Sequence, residues 1–334
     1  MAKEVGSKRL GNSGLKVSEL ILGAMTFGDQ IDQDASINIL DKAYESGIFT
    51  FDTADFYPFP GRKGTQGNSE RILGDWVNNR KIRHQVVFAT KGPGRTSSGP
   101  NGRGSSRKHI IKAVDESLAR LGGDYIDLYQ IAPDPTVPIE ETIAAVDQLI
   151  QQGKILYLGC STSAAWWVIK ALWKAEAGVM NKPQSVQFRY NLIDRDAEDE
   201  LMPVCIEQGL GAITFSPLAG GMLTGKYLDK DEVIPNTRAA FLPRYRKLFT
   251  EAVEEVVRRI ADIAEVKNIT PSQLALAWVK SKQVITAPII GVTSIQHLED
   301  SLGALDVELS EVDISICESL YEILNSYDPK ADRR

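Results

Sequence analysis

Short apolar runs rich in branched side chains alternate along this chain with amphipathic segments, and the alternation repeats eight times. The runs fall at 20–22, 49–51, 86–89, 126–130, 155–159, 185–188, 212–215 and 288–290. Each is mostly apolar, which suits a strand covered on both faces, as parallel strands between helices are. Between them the spacing predicts helices: Ile110, Ile111, Val114, Leu118 and Leu121 recur with helical period, as do Val253, Val256, Ile260 and Ile263. Thr270-Pro271-Ser272-Gln273 reads as a capping box with proline at the first helical position, and Ser310 with Asp313 as a weaker one. Eight βα units in 334 residues predict an α/β fold, a (β/α)8 TIM barrel forming one domain over residues 1–334, with a doubly wound open sheet second. Ahead of the first barrel strand, residues 8–17 carry Asn12-Ser13-Gly14 turn chemistry between two short alternating segments, so an N-terminal β-hairpin is expected to plug the lower end.

Three polar, Gly/Pro-rich stretches at 58–68, 92–106 and 219–243 all follow predicted strands. They would gather as long loops at the carboxyl face of the barrel, where such folds build their sites. A net charge of −6 argues against nucleic-acid or membrane binding driven by general charge. No apolar run approaches the ~18 residues of a membrane helix, and the N-terminus lacks a signal-peptide core. Cys160, Cys205 and Cys317 are far apart, odd in number and without metal-ligand spacing. Each is expected to be a small buried hydrophobe in a reducing cytoplasm, with no metal site. The partner left by these exclusions is a small molecule.

Asp52, Tyr57 and Lys91 supply a carboxylate, a phenol and an amine at successive predicted strand ends. A lysine ammonium in a dehydrated site favours phenolate over phenol, so Tyr57 is expected to titrate below its ordinary ~10, with Asp52 holding the lysine. Such a tyrosine is suited to hand a proton to a carbonyl oxygen becoming an alkoxide, or to take one from an alcohol. No histidine follows the fourth predicted strand, where Tyr129-Gln130-Ile131 runs into Ala132-Pro133-Asp134-Pro135. His84, His109 and His297 lie elsewhere in the chain and read as surface or capping residues.

Several segments resemble aldo-keto reductase motifs in order: Leu22-Gly23-Ala24-Met25-Thr26-Phe27-Gly28, Gly47-Ile48-Phe49-Thr50-Phe51-Asp52-Thr53-Ala54, Ser69-Glu70-Arg71-Ile72-Leu73-Gly74, Leu121-Gly122-Gly123-Asp124-Tyr125-Ile126-Asp127-Leu128-Tyr129 and Ser216-Pro217-Leu218-Ala219-Gly220-Gly221-Met222-Leu223-Thr224-Gly225-Lys226-Tyr227. The resemblance runs from about Arg9 to Leu320. It implies a (β/α)8 barrel that binds NADP(H) and reduces aldehydes or ketones to alcohols by hydride transfer, with Tyr57 as general acid/base tuned by Asp52 and Lys91. The family's fourth member is a histidine. Either Ala132 takes its place and the next residue is gone, or the histidine itself is deleted and Ala132 is its neighbour. Losing one such donor typically lowers turnover by ~10²–10³, so weakened reduction is expected. The alternative is a dinucleotide-binding regulatory subunit with little turnover, as some relatives are.

By the same resemblance Ser161, Thr162 and Gln187 would hold the nicotinamide carboxamide, with Thr162 where asparagine is usual, and Phe215 would stack under its ring. Ser216, Leu218, Gly220 and Lys226 would line the pyrophosphate, with Arg238 as a clasp. Gly291, Thr293, Ser294, His297, Asp300 and Ser301 belong to the segment that resembles the adenosine end. Relatives carry an Arg or Lys there for a 2′-phosphate, and this chain has none between Gln283 and Pro329, which leaves NAD(H) as an alternative. Gly220 to Lys226 also spells Gly-x-x-x-x-Gly-Lys, but Tyr227 stands where a triphosphate site needs Ser or Thr. Met25, Phe27, Tyr57, Phe59 and Trp166 or Trp167 are candidate substrate walls, and Arg62, Lys63 and Arg95 could meet a negatively charged group.

Overall fold

A computed structural model describes residues 4–228, 230, 234–235 and 237–327. The ends of the predicted 1–334 unit, and positions 229, 231–233 and 236 of the predicted 219–243 loop, lie outside the described residues. Two short strands, β1 (Ser7–Arg9) and β2 (Lys16–Ser18), precede eight parallel ones: β3 (Ile21–Gly23), β4 (Thr50–Asp52), β5 (Val87–Gly92), β6 (Ile126–Ile131), β7 (Ile155–Ser161), β8 (Ser185–Arg189), β9 (Gly211–Phe215) and β10 (Ile285–Gly291). Each strand pairs with its sequence neighbour, and β10 pairs with both β9 and β3, so the sheet closes on itself. Closure rules out the open doubly wound sheet. All eight predicted runs are strands, shifted or extended by up to three residues at their ends.

The helices are α1 (Gln33–Glu45), α2 (Asn68–Arg80), α3 (Arg107–Leu121), α4 (Ile139–Gln151), α5 (Ala165–Ala177), α6 (Leu201–Gln208), α7 (Arg238–Phe241), α8 (Glu251–Val266), α9 (Pro271–Ser281), α10 (Ile295–Gly303) and α11 (Glu311–Tyr327). Local chemistry starts several of them. The Thr270–Gln273 capping box opens α9, and Ser310 and Asp313 exchange side-chain and backbone hydrogen bonds at the start of α11. Apolar helix faces pack against the outward side chains of the strands in one large core.

The hairpin does plug the barrel. Leu10 and Val17 are fully buried in a second, inner cluster with Ile21, Val87, Ala89, Leu128, Ile213, Ala287 and Ile289. The Asn12 N–H donates to the Gly209 carbonyl at 2.8 Å, which fixes the hairpin tip below β9. The left-handed turn residue is Gly11 (φ 56°) rather than Gly14, and a Cβ there would sit 2.4 Å from the Gly209 oxygen. Leu10→Ala is therefore expected to cost about 2–5 kcal/mol of unfolding free energy, the range for emptying a closed apolar site. Urea unfolding measures it, and a loss below about 1 kcal/mol would contradict the plug.

Candidate active site at the carboxyl face

Alternation along each strand decides which side chains reach the barrel axis. In β5, Val87, Ala89 and Lys91 share the inward phase, while Phe88 joins the outer core and Thr90 bonds to Glu70 of α2. In β6, Leu128 and Gln130 point inward and Tyr129 and Ile131 outward. The strand ends carry the polar inward positions, and these meet at Asp52, the last residue of β4.

The Asp52 carboxylate is held by three strands besides its own. Oδ1 pairs with Lys91 Nζ, which also donates to the Thr53 carbonyl at 2.8 Å. Oδ2 accepts from Gln187 Nε2 at 2.7 Å and from Gln130 Nε2 at 3.1 Å, and Gln187 Nε2 also donates to Gln130 Oε1 at 2.9 Å. All four side chains are buried. Gly159 leaves room for Gln130 and Ser185, because a Cβ there would lie 3.2 Å from Gln130 Cγ and 2.7 Å from Ser185 Oγ. A buried carboxylate bonded from every side is held in place, and deleting one partner of such a pair typically costs about 3–5 kcal/mol.

Tyr57 lies beside this cluster, half-buried, with the Lys91 ammonium 5.0 Å from its ring centroid and Phe56 packed edge-on at 4.9 Å. Its backbone is pinned at both ends, N–H to the Ala54 carbonyl at 3.1 Å and carbonyl to the Gly67 N–H at 2.8 Å. The expected acidic tyrosine is not what the balance gives. Burial raises the phenol above 10.0, Lys91 opposes it, Asp52 reinforces it, and the net direction is upward. Burial is the largest of these effects, and together with Asp52 it outweighs the lysine charge that was to acidify the phenol. For Lys91, burial pulls its pKa down, but Asp52 and Tyr57 push harder and hold it raised.

Ala132 is the first residue beyond β6, exposed and in phase with Leu128 and Gln130; its carbonyl accepts from Ser105 Oγ at 3.0 Å. No imidazole among the described residues replaces the missing one. His84 is exposed against Tyr125, and His297 is exposed in the first turn of α10. His109 departs from the surface expectation: it is fully buried in the first turn of α3, with Nε2 2.8 Å from the Gly94 carbonyl. The capping pattern hides this, since Ser106 does cap α3 while the ring turns inward to the loop after β5.

Around the mouth, the structure gathers most of the residues singled out for a dinucleotide. Ser161 and Thr162 follow one another at the end of β7, their hydroxyls 3.4 Å apart, with Thr162 left-handed at φ 54°. Half-buried Phe215 closes the inner cluster, and the Arg189 guanidinium is 5.8 Å from its ring centroid. Ser216 reaches the Tyr245 hydroxyl at 3.3 Å, and Leu218 packs on the core. Gly220 and Gly221 follow in left-handed conformation, and a Cβ on Gly220 would lie 2.4 Å from the Tyr245 ring. Lys226 folds back over Gly221, its pKa lowered by burial and by Arg238. Arg238 reaches from α7 to the Phe59 carbonyl at 3.4 Å and Met25 Sδ at 3.7 Å, clasping two other loops. Gly291, the last residue of β10, and Thr293 beyond it are exposed, and Ser294 caps α10. Asp300 accepts from Thr270 at the start of α9, and Ser301 is buried and donates to the His297 carbonyl.

The substrate walls are corrected more heavily. Met25 is half-buried and Phe59 is 36% exposed, but Phe27 is wholly inside the outer core, as is Trp167. Trp166 is 63% exposed on α5. Arg62 is paired with Asp29, and Arg95 donates to the Ser97 and Gly99 carbonyls of its own loop, which leaves Lys63 as the exposed cation of that set with no such partner among the described contacts.

One buried group carries no signal in the sequence beyond being acidic. Asp55 is 0% exposed, and burial, reinforced by Glu70, pushes its carboxyl up to about 7. Glu70 itself accepts from Thr90 at 2.7 Å and pairs with Arg120 at 2.6 Å.

A buried acid–base cluster ringed by glycine-rich loops at the carboxyl end of a closed barrel is the arrangement of a (β/α)8 enzyme site. The chain belongs to the aldo/keto reductase family, whose model matches residues 19–322, and it is an oxidoreductase on that ground. It is 35% identical over 308 residues to an uncharacterized oxidoreductase of Bacillus subtilis, covering 90% of this chain and 91% of that one. It is 36% identical over 312 residues, 90% and 91% of the two chains, to a protein of Arabidopsis thaliana named "Probable voltage-gated potassium channel subunit beta". To versiconal hemiacetal acetate reductase of Aspergillus parasiticus it is 33% identical over 338 residues, 94% and 96% of the two.

The raised Asp55 pKa makes folding stability depend on pH. The folded chain holds this proton from the unfolded value of 3.8 up to about 7, so the stabilisation is complete below the first value and lost as pH rises through the second. The total is roughly 3–5 kcal/mol. Asp55→Asn is expected to gain stability relative to the parent as pH goes from about 5 to about 8. Urea midpoints at both pH values measure this, and a constant difference between the two proteins would contradict it.

Proposed function

We propose that the chain reduces an aldehyde or ketone to an alcohol with NADP(H), with Tyr57 as the general acid. The observation that supports this most is the Asp52–Lys91–Tyr57 cluster, in which a raised phenol pKa keeps the proton on Tyr57 at neutral pH. Reduced dinucleotide would supply the hydride to the carbonyl carbon. Tyr57 would give its proton to the carbonyl oxygen as charge develops there, and the Lys91 ammonium, held by Asp52, would stabilise the phenolate left behind. In the reverse direction the same phenolate would take the alcohol's proton.

The residues at the mouth suit such a cofactor. Two left-handed glycines turn the backbone beneath Tyr245 and Lys226, and Lys226 and Arg238 sit close enough for each charge to be felt by the other. Phe215 offers a ring face, for which stacking asks no more than area and planarity. Gln187 has both amide hydrogens committed to Asp52 and Gln130, so it would meet a carboxamide through its carbonyl oxygen. Ser294 at the start of α10 would offer a hydroxyl and helix N-terminal N–H groups to a phosphate. The lack of Lys or Arg from 283 to 329 weakens the 2′-phosphate preference, and NAD(H) is the alternative. We place the protein in the cytoplasm as one working unit, in keeping with three buried thiols and no helix among the described residues long and apolar enough to cross a membrane.

A second reading is favoured by Ala132 together with the likeness to a named channel β subunit: a barrel that binds dinucleotide and turns over little. Cofactor oxidation across aldehydes, ketones and sugar carbonyls separates the two. Tyr57→Phe is expected to lose carbonyl-dependent oxidation by at least about 10²-fold. Ala132→His is expected to raise turnover by about 10–10². Tight cofactor binding with no turnover on any carbonyl would favour the second reading.

A further inference from the structure

Behind the reacting pair lies a second carboxylate whose contacts all go to the segment carrying Lys91. The Asp55 backbone N–H donates to the Lys91 carbonyl at 2.9 Å, and its carboxyl accepts the Gly94 N–H at 2.9 Å to Oδ2 and 3.2 Å to Oδ1. The carbonyl of the same residue is taken too, because His109 Nε2 meets the Gly94 oxygen at 2.8 Å. Between them Gly92 passes so close that a Cβ would sit 3.0 Å from Asp55 Oδ2 and 2.3 Å from the Tyr129 hydroxyl, which is buried and has no hydrogen-bond partner among the described residues. Phe56, which packs on Tyr57, also packs on Gly94.

We propose, on the reading that Tyr57 and Lys91 are the reacting pair, that Asp55 is a positioning residue: its carboxylate clamps the 91–94 turn to the 52–57 segment and sets where the ammonium lies beside the phenol. The groups facing it are Glu70 on α2, Glu116, His109 and Arg120 on α3, Tyr129 on β6, and the backbone of β5 and its following turn. Burial, with Glu70 next, brings the carboxyl to about 7, so the clamp changes its charge at neutral pH. The ionised form makes a charge-assisted bond to the Gly94 N–H and the neutral form a weaker one. Positioning therefore tightens as pH rises through that value.

The test compares kcat and KM from about pH 5.5 to about 8.5 for the parent, Asp55→Asn and Asp55→Ala, with amide exchange of Gly94 followed in the full chain. In the parent, kcat is expected to rise by about tenfold through neutrality with little change in cofactor KM. Asn keeps an acceptor for Gly94 but cannot ionise, so Asp55→Asn flattens this rise, while Asp55→Ala lowers kcat at every pH. Gly94 exchange, corrected for its intrinsic pH dependence, slows through the same range in the parent and not in Asp55→Asn. A parent-like inflection in Asp55→Asn, or Gly94 protection that ignores pH in the parent, overturns the proposal. Should Tyr57→Phe turn over as fast as the parent, the reading of the reacting pair fails, and Gly94 exchange still decides the clamp.

Discussion

One buried carboxylate organises the carboxyl end of this barrel. Asp52 is reached by a lysine from β5, an amide from β6 and an amide from β8, so four strands are tied together through a single side chain. The ionised group would be costly in an apolar interior. It is tolerated because Lys91 balances its charge and both oxygens are hydrogen-bonded, and the same contacts remove the freedom that Lys91 and the two glutamines would otherwise have. The apolar inner cluster capped by the hairpin lies below, and polar chemistry begins where that cluster ends. The division of the barrel into a closed base and a reactive top is thus a consequence of which inward positions are apolar and which are not.

That arrangement changes the role given to Tyr57. A lysine free to act on the phenol would acidify it, but one already paired with Asp52 does so less than burial raises it. The result suits a proton donor better than a resident phenolate. On the proposed reading it also makes the absent imidazole more consequential, since the phenol would carry the proton transfer with Lys91 as its main support. On the same reading Asp55 would add a second layer of control from behind, at the cost of a carboxyl whose burial favours the protonated form.

The fold was legible because its signals are local. Apolar runs at regular spacing, a Thr-Pro-Ser-Gln cap and an Asn-Ser-Gly turn each report on residues within a few positions, and each led to a strand, helix or hairpin in the structure. Asp52, Lys91 and Tyr57 were legible because strand ends of a barrel converge whatever lies between them. Their amide partners were not: Gln130 and Gln187 meet Asp52 across 78 and 135 residues, and nothing local marks an inward glutamine as a ligand of a carboxylate. Phe27, Trp167 and His109 were misjudged for the opposite reason, because an apolar or aromatic residue near a loop looks the same whether the backbone turns it to the mouth or to the core. Arg62 and Arg95 looked free because their partners, a carboxylate 33 residues away and carbonyls of the same loop, leave no pattern.

The most direct test of Asp52 as the organiser is single-turnover hydride transfer in Asp52→Asn beside the parent, with NADP(H) affinity measured on the same samples. The account predicts affinity within about threefold of the parent and a hydride step slower by about 10²-fold, because Lys91 loses its counter-charge and its fixed place beside Tyr57. A hydride step as fast as the parent's would contradict it.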